Sequence, residues 1–339
     1  MLTNRVITIS GEPASGKSTV INKLKEDYEK QGYKVNVLTI GYEFRKLAQE
    51  KGMSIKEFNK YMETRKGIDE YIDAKVAEEG KKINEKERPN EIFIFDSRLA
   101  FYNVPDSFSI RLTIDENIAG QRIFEDTTRG KEDCYRNVNE AIIDTIKRKE
   151  SEVDRYKKRY NIDIQDINNY NLVIDTSYSK ISDIKNVIKQ CFELEMQEKN
   201  YTRTWTSPKK LLPTQSEVST INRGSLYTLK EMKEIIRKEG YNPSEKIDII
   251  DVDNKKFIIE GHHRNFALAS IGGTLVPYYT LAKNDEKMPN SNDTARQRAF
   301  LSKKNLLGHE AFFDSKDKKF SYDEVYPNIY KELDKGEER

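Results

Sequence analysis

Residues 11–18 read GEPASGKS, which sets Gly11, Gly16, Lys17 and Ser18 in the spacing G-x-x-x-x-G-K-S/T. Each residue type has a physical reason to stand there. Glycine lets the backbone turn inward so that successive N–H groups converge on one anion, at the positive end of the helix that follows. The lysine reaches the β- and γ-phosphate oxygens of a nucleoside triphosphate, and the hydroxyl after it is a ligand for Mg²⁺. Ala14, Ser15 and Thr19 complete the stretch whose backbone would line the phosphates. A glycine-rich turn that binds nothing is the plain alternative. The flanks speak against it, because a β-branched apolar run precedes the loop and an amphipathic helical pattern follows it.

Two other stretches carry chemistry. IFIFD ends in Asp96, an acid closing an apolar strand, which is where a carboxylate that orients Mg²⁺ beside such a loop belongs. EGHHR at 260–264 holds two of the chain's three histidines. It lies between an apolar strand and a helix, so Gly261, His262, His263 and Arg264 could form a compact anion site at the helix start. A hydrogen-bonded turn is the plain alternative there. A metal centre is poorly supported, since adjacent histidines diverge and no cysteine or acid cluster completes a shell.

These groups need a scaffold. RVITIS at 5–10 reads as a short buried strand. Val20, Ile21, Leu24 and Tyr28 share one face of a helix ending near Gly32. KVNVLTI (34–40), EIFIFDS (91–97), FSIRLTID (108–115) and NLVIDTS (171–177) are four further strands. Helical stretches over 41–82 and 116–159 separate them, and a helix over 180–198 closes the unit. The alternation predicts an α/β fold over 1–198, a doubly wound parallel five-stranded sheet. The polar run KNYTRTWTSPKK then marks a linker at 199–208. A smaller α+β domain is expected over 209–284: a strand near LLPTQ, a helix over 228–239, strands KIDIIDVD and KKFIIEG, a helix over 264–271 and strand LVPYYTL. Residues 285–339 form a C-terminal extension with helical pieces and no legible site.

Bulk properties narrow the function classes. The chain of 339 residues is long for one domain, in keeping with two. Its 59 Lys+Arg against 57 Asp+Glu leave no global basic field of the kind that advertises nucleic-acid binding. The two cysteines, Cys134 and Cys191, have neither disulfide-framework nor zinc-like spacing, so a reducing, cytoplasmic setting is expected. The sequence enters a strand almost at once, without a signal peptide, and no apolar run approaches the ~20 residues of a membrane span.

The first unit carries no guanine-reading N-K-x-D motif, and it has helical insertions after its second and fourth strands. GYEFRKLAQEKGMSIKEFNKY, IDEYID (68–73), DSRLA (96–100) and RKESEVDRYKKRYNIDIQDINNYNLVIDTS (148–177) resemble the archaeal-type cytidylate kinases, P-loop nucleoside-monophosphate kinases, through nearly all of residues 4–195. The resemblance implies transfer of the γ-phosphoryl group of ATP, with Mg²⁺, to a nucleoside monophosphate, CMP or dCMP. It implies that Arg45 and Arg98 contact the acceptor, that Asp69 and Asp73 line or brace its pocket, and that Arg148 and Arg155 are lid arginines. The plain alternative for these arginines is a salt-bridged helix face, since the segment is dense in both signs. Ser97 stands where that family usually has glycine, and IFEDTTRGKEDCY (123–135) departs from its regular basic stretch. Both departures bear on acceptor choice, leaving a modified or hydroxymethylated pyrimidine, in a nucleotide or in DNA, as the variant reading.

Residues 210–281, from LLPTQSEV through FIIEGHHRNFALASIGGTLVPYY, resemble the ParB/sulfiredoxin superfamily. Members with this loop hold nucleotide phosphates in it, and the nearest are free-serine kinases and the nucleotide-binding domains of ParB-type partition proteins. Sulfiredoxins carry a cysteine in the loop and this chain does not, which argues against sulfinic acid reduction. By analogy with the serine kinases, Glu217 would activate an acceptor hydroxyl; an ordinary turn carboxylate is the plain alternative. No helix-turn-helix is legible in 284–339. A nucleotide-dependent nucleic-acid-binding module regulated by the P-loop domain stands as the competing function class.

Overall fold

The computed structural model describes residues 4–39, 48–53, 57–58, 61, 68–126, 135–216, 220–221, 229–307 and 322–328, without the side chains of 68–72, 303–307 and 324. The chain divides into two compact units, Met1–Ser177 with Ile184–Lys199, and Tyr178–Asp183 with Asn200–Arg339.

The first unit contains strands β1 (Arg5–Gly11), β2 (Lys34–Thr39), β3 (Glu91–Asp96), β4 (Phe108–Thr113) and β5 (Leu172–Asp175). They lie in the order β2-β3-β1-β4-β5, every pair parallel. The helices are α1 (Lys17–Lys30), α2 (Ile68–Asn84), α3 (Ala100–Asn103), α4 (Glu116–Glu125), α5 (Val138–Tyr160) and α6 (Ile181–Met196). Register shows how both faces are covered. Val6 is level with Phe93, and both pack with Phe95 against Val76 and Ile83 of α2. The next residue of β1, Ile7, points to the opposite face and is level with Phe108, whose ring meets Phe192 of α6 at 5.4 Å. A β-branched strand with apolar residues on both faces is what this burial requires.

One expectation needs correction here. The stretch 116–159, read as one charged helical run, is two helices. Asp115 caps α4 by accepting from the Asn117 N–H, and Asn137 caps α5 by accepting from the Glu140 N–H. The N-x-x-E spacing of Asn137 and Glu140 was a legible start signal that the density of charge obscured. The two helices cross closely at Gly120, where an added Cβ would lie 2.8 Å from the Ile142 Cα.

In the second unit, β6 (Thr204–Thr206), β7 (Leu211–Leu212), β8 (Ile247–Val252), β9 (Lys255–Glu260) and β10 (Val276–Lys283) are ordered β6-β10-β8-β9-β7. The sheet is mixed: β10/β8 and β7/β9 are parallel, while β6/β10 and β8/β9 are antiparallel. Asp253 and Asn254 both take positive φ, 52° and 61°, and close the two-residue turn of the β8–β9 hairpin. Helices α7 (Leu229–Glu239), α8 (His262–Ser270), α9 (Ala295–Leu307) and α10 (Tyr322–Val325) complete the unit.

Residues 199–208, expected as a linker, instead carry β6, which pairs with β10, and Trp205, buried edge-on against Tyr241 at 6.4 Å. The polar, proline-bearing composition hid a single aromatic anchor. The C-terminal stretch is likewise built into this unit. Ala295 and Ala299 of α9 pack on Ile250, Val252 and Phe257, and Tyr322 and Tyr326 pack on Phe266 of α8.

The Gly120–Ile142 crossing sets a test of the first unit. Gly120→Ala should cost about 1–3 kcal/mol from overpacking against main-chain atoms. A urea unfolding midpoint unchanged from wild type would show that α4 and α5 do not meet there.

Candidate active site

The loop leaves β1 at the carboxyl end of the central strand, between the ends of β3 and β4. The Glu12 N–H donates to the Leu112 carbonyl at 3.0 Å, extending the sheet into the loop. At Gly11 an added Cβ would stand 2.7 Å from Ser15 Oγ, so a side chain there would force the Ser15 hydroxyl aside. Ala14 and Gly16 take φ of 61° and 79°, turning the chain by left-handed steps. Arg122 of α4 fastens this conformation, donating to the Ala14 carbonyl at 3.1 Å and to the Thr176 and Ser177 carbonyls at 2.8 and 3.1 Å. Burial draws the Arg122 guanidinium below its ordinary pKa, with Asp175 opposing.

The loop's inner surface suits an anion. Gly16 offers no side-chain cap to α1, so the first N–H groups of that helix lack a capping side chain. Ser15 Oγ is buried without a hydrogen-bond partner. Lys17 meets the Asp96 carboxylate through its ammonium group, and Asp96 is level with Ile9 at the end of β3. Ser18 and Thr19 are exposed at the start of α1. The Ser18 hydroxyl and the Asp96 carboxylate are oxygen donors of the kind Mg²⁺ takes, alongside phosphate oxygens and water.

Glu12, which sequence reasoning passed over, is the hub of the loop's other side. Its carboxylate accepts from Arg111 at 3.0 Å and from the Ile114 N–H at 3.1 Å, and Lys149 of α5 lies 3.4 Å away. Lys149 also reaches Glu116 at 3.2 Å. Beside this network lies a small recess, lined by Gly11, Glu12 and Pro13 of the loop and by Arg98, Arg111, Lys149 and Glu152. Three cations and two carboxylates thus face a space adjoining the phosphate loop.

The first unit can be set beside known proteins. The family model described as an AAA domain matches residues 7–144. A cytidylate kinase of Methanocaldococcus jannaschii is 31% identical over 193 residues, 56% of this chain and 97% of its own. A cytidylate kinase of Methanocella arvoryzae is 34% identical over 183 residues, 54% of this chain and 94% of its own. The chain belongs to the cytidylate kinase family. A solved shikimate kinase from Bacteroides thetaiotaomicron is 11% identical, with 56% of this chain and 98% of that one covered at a TM-score of 0.37. The cytidylate kinase likeness accounts for little more than half of the chain.

Within the cytidylate kinase unit, the expected acceptor and lid residues are distributed unevenly. Arg98 lines the cleft and donates through Nε to Glu152 of α5. Asp73 is a brace: Asn103 donates to one of its oxygens at 3.0 Å and Tyr160 to the other at 2.7 Å, tying α2 to α3 and to the end of α5. Asp69 lies in α2, and its side chain is outside the described residues, as are Arg45 and Glu217 entirely. Arg148 and Arg155 are half-buried on the side of α5 that carries Glu152, and the Arg155 guanidinium sits 5.1 Å from the centre of the Tyr156 ring. Lys149, Glu152 and Arg111 were missed because isolated charges in a charge-rich helix and one arginine in an apolar strand give no spacing signal.

In the second unit, α8 begins directly after Gly261, which has φ of 99° and provides no side-chain cap. An added Cβ there would stand 2.6 Å from Ile247 Cδ1. The expected group of four separates. His262 is buried, and its Nε2 lies within hydrogen-bond reach of both the Thr214 N–H at 3.1 Å and the Thr214 hydroxyl at 3.0 Å, which spends the imidazole on holding the segment after β7. His263 keeps a buried Nε2 without a hydrogen-bond partner, and the fully buried Asn265 amide is unpaired at both atoms. Arg264 lies beside Tyr241, whose hydroxyl burial pushes up in pKa while Arg264 pulls it down.

The Glu12 network generates a test. Glu12→Gln leaves Arg111 and Lys149 without their shared carboxylate in a largely buried setting and should cost about 3 kcal/mol. Chemical denaturation checks this; a loss no larger than that of an exposed pair would mean Glu12 does not anchor the loop.

Proposed function

We propose that the first unit transfers the γ-phosphoryl group of ATP to a pyrimidine nucleoside monophosphate, CMP or dCMP. The observation that carries this reading is the pairing of an anion-receptive loop with a recess at its side where three cations outnumber two carboxylates. Two phosphate-bearing substrates need two such places, close enough for in-line transfer. Membership of the cytidylate kinase family supports the choice of acceptor.

On this reading, the loop N–H groups from Ala14 to Thr19 hold the triphosphate and Lys17 spans its terminal phosphates, exchanging its Asp96 contact for phosphate oxygens. Ser18 and Asp96 hold Mg²⁺, which when bound neutralises charge on the phosphates. Arg98 takes the acceptor's phosphate, Asp73 keeps α2 and α5 in register beside it, and Arg45 and Asp69 complete the acceptor pocket. Arg148 and Arg155 steady the charge that spreads over the transferring group, and α5 excludes water from it. Glu12 acts from behind, keeping the loop in shape and its own charge compensated. Ser97, where the family usually has glycine, bears on acceptor choice and leaves a modified or hydroxymethylated pyrimidine as the variant acceptor.

For the second unit we infer a nucleotide or phosphate site at the start of α8, formed by the Gly261, His263 and Arg264 segment, with His262 as its structural support. The uncapped helix start and the unpartnered His263 Nε2 support this reading. A small-molecule kinase activity there would draw on Glu217 to activate the acceptor hydroxyl.

The test is ADP release from Mg·ATP against CMP, dCMP, UMP, dTMP, hydroxymethylated pyrimidine nucleotides, hydroxymethyl-pyrimidine DNA and free serine. CMP or dCMP should stimulate release, Lys17→Ala should abolish it, and His263→Ala should leave it unchanged. Release driven by serine or a DNA base, with every monophosphate inert, would overturn the proposed acceptor.

A further inference from the structure

We propose that Glu152 is a positioning residue that couples the acceptor's phosphate to the placement of α5. The proposal rests on the reading of Arg98 as the acceptor-phosphate arginine and assigns a function to a carboxylate that this reading leaves unused.

The geometry is specific. Glu152 engages Arg98 at Nε, and neither Nη1 nor Nη2 has another partner among the described residues. Arg98 lines the cleft, so the side of the guanidinium left open is the two-pronged end that matches phosphate oxygens. A guanidinium held by Nε is restricted in rotation about its long side chain, and less conformational entropy remains to be lost when an anion binds. The pair is partly shielded from solvent, at 31% and 22% side-chain exposure, so its attraction is not lost to bulk water.

The position of Glu152 on α5 gives the contact its second consequence. Arg148 precedes it by one helical turn and Arg155 follows by another, so all three emerge from the same side of the helix. Lys149, on the adjoining row, is tied to Glu12 of the phosphate loop at 3.4 Å. One helix is thereby fastened at two points, to the phosphate loop through Lys149 and to the acceptor arginine through Glu152. Phosphate arriving at Arg98 draws on a residue already bound to α5, and the helix bearing the lid arginines is located by the same event. An acceptor without phosphate makes no use of this connection.

Glu152→Ala tests the coupling, since alanine favours the helix and removes the carboxylate that holds Arg98 at Nε. The expected result is a KM for the monophosphate raised about five- to tenfold, the scale of a partly buried ion pair to an arginine. The KM for ATP and ADP release without acceptor should stay at wild-type values, and Glu152→Gln, which keeps an oxygen for Nε, should recover most of the loss. In an Arg98→Gln background, Glu152→Ala should add nothing further. An unchanged or lowered acceptor KM, or an equal penalty with and without Arg98, would overturn the coupling while the kinase reading stands. A wild-type enzyme stimulated by no monophosphate would instead overturn the acceptor reading, and the coupling with it.

Discussion

A carboxylate inside a phosphate-binding loop is an electrostatic liability, and the first unit is organised around its neutralisation. Glu12 follows Gly11 directly, within the turn that must attract anions. Its charge is taken up by Arg111 from β4, by the Ile114 main chain and by Lys149 from α5. With that charge balanced, the amide-lined side of the loop keeps its positive character, and Lys17 has Asp96 as a nearby counter-ion. The same three contacts tie the loop to its neighbouring strand and to the helix across the cleft. Loop shape, local potential and the seating of α5 therefore depend on one side chain.

The second unit is stabilised in another way. The functional-looking EGHHR segment divides its labour: one histidine turns inward to hold the Thr214 main chain, while its neighbour keeps an unsatisfied nitrogen. A fully buried, unpaired Asn265 amide in the same helix is costly by the usual accounting for polar groups. Such costs concentrate where binding, and not stability, has shaped a segment.

How much of this could be read beforehand follows from how local each signal is. The five-stranded sheet was legible because β-branched runs such as RVITIS and EIFIFD announce themselves within a few residues. The loop was legible because its glycines and lysine have fixed separations. The division of 116–159 into two helices rested on one cap, Asn137 with Glu140, within a stretch dense in both signs. β6 rested on Trp205 alone. Arg111, Lys149 and Glu152 acquire meaning only from what lies across a cleft, so no property of their own neighbourhoods in the sequence could single them out.

The crossing of α4 and α5 has a mechanical side. At Gly120 the absence of a side chain brings one helix onto the main chain of the other at Ile142, and the Lys149–Glu116 contact continues the seam to the start of α4. Two helices joined along such a seam resist tilting separately and move as one piece. Ile142 lies near the start of α5 and Arg155 near its end, about 20 Å further along at the rise of an α-helix. A slight rotation of the joined pair as one body becomes a displacement of whole ångströms at the arginine, which makes α5 a lever arm for α4.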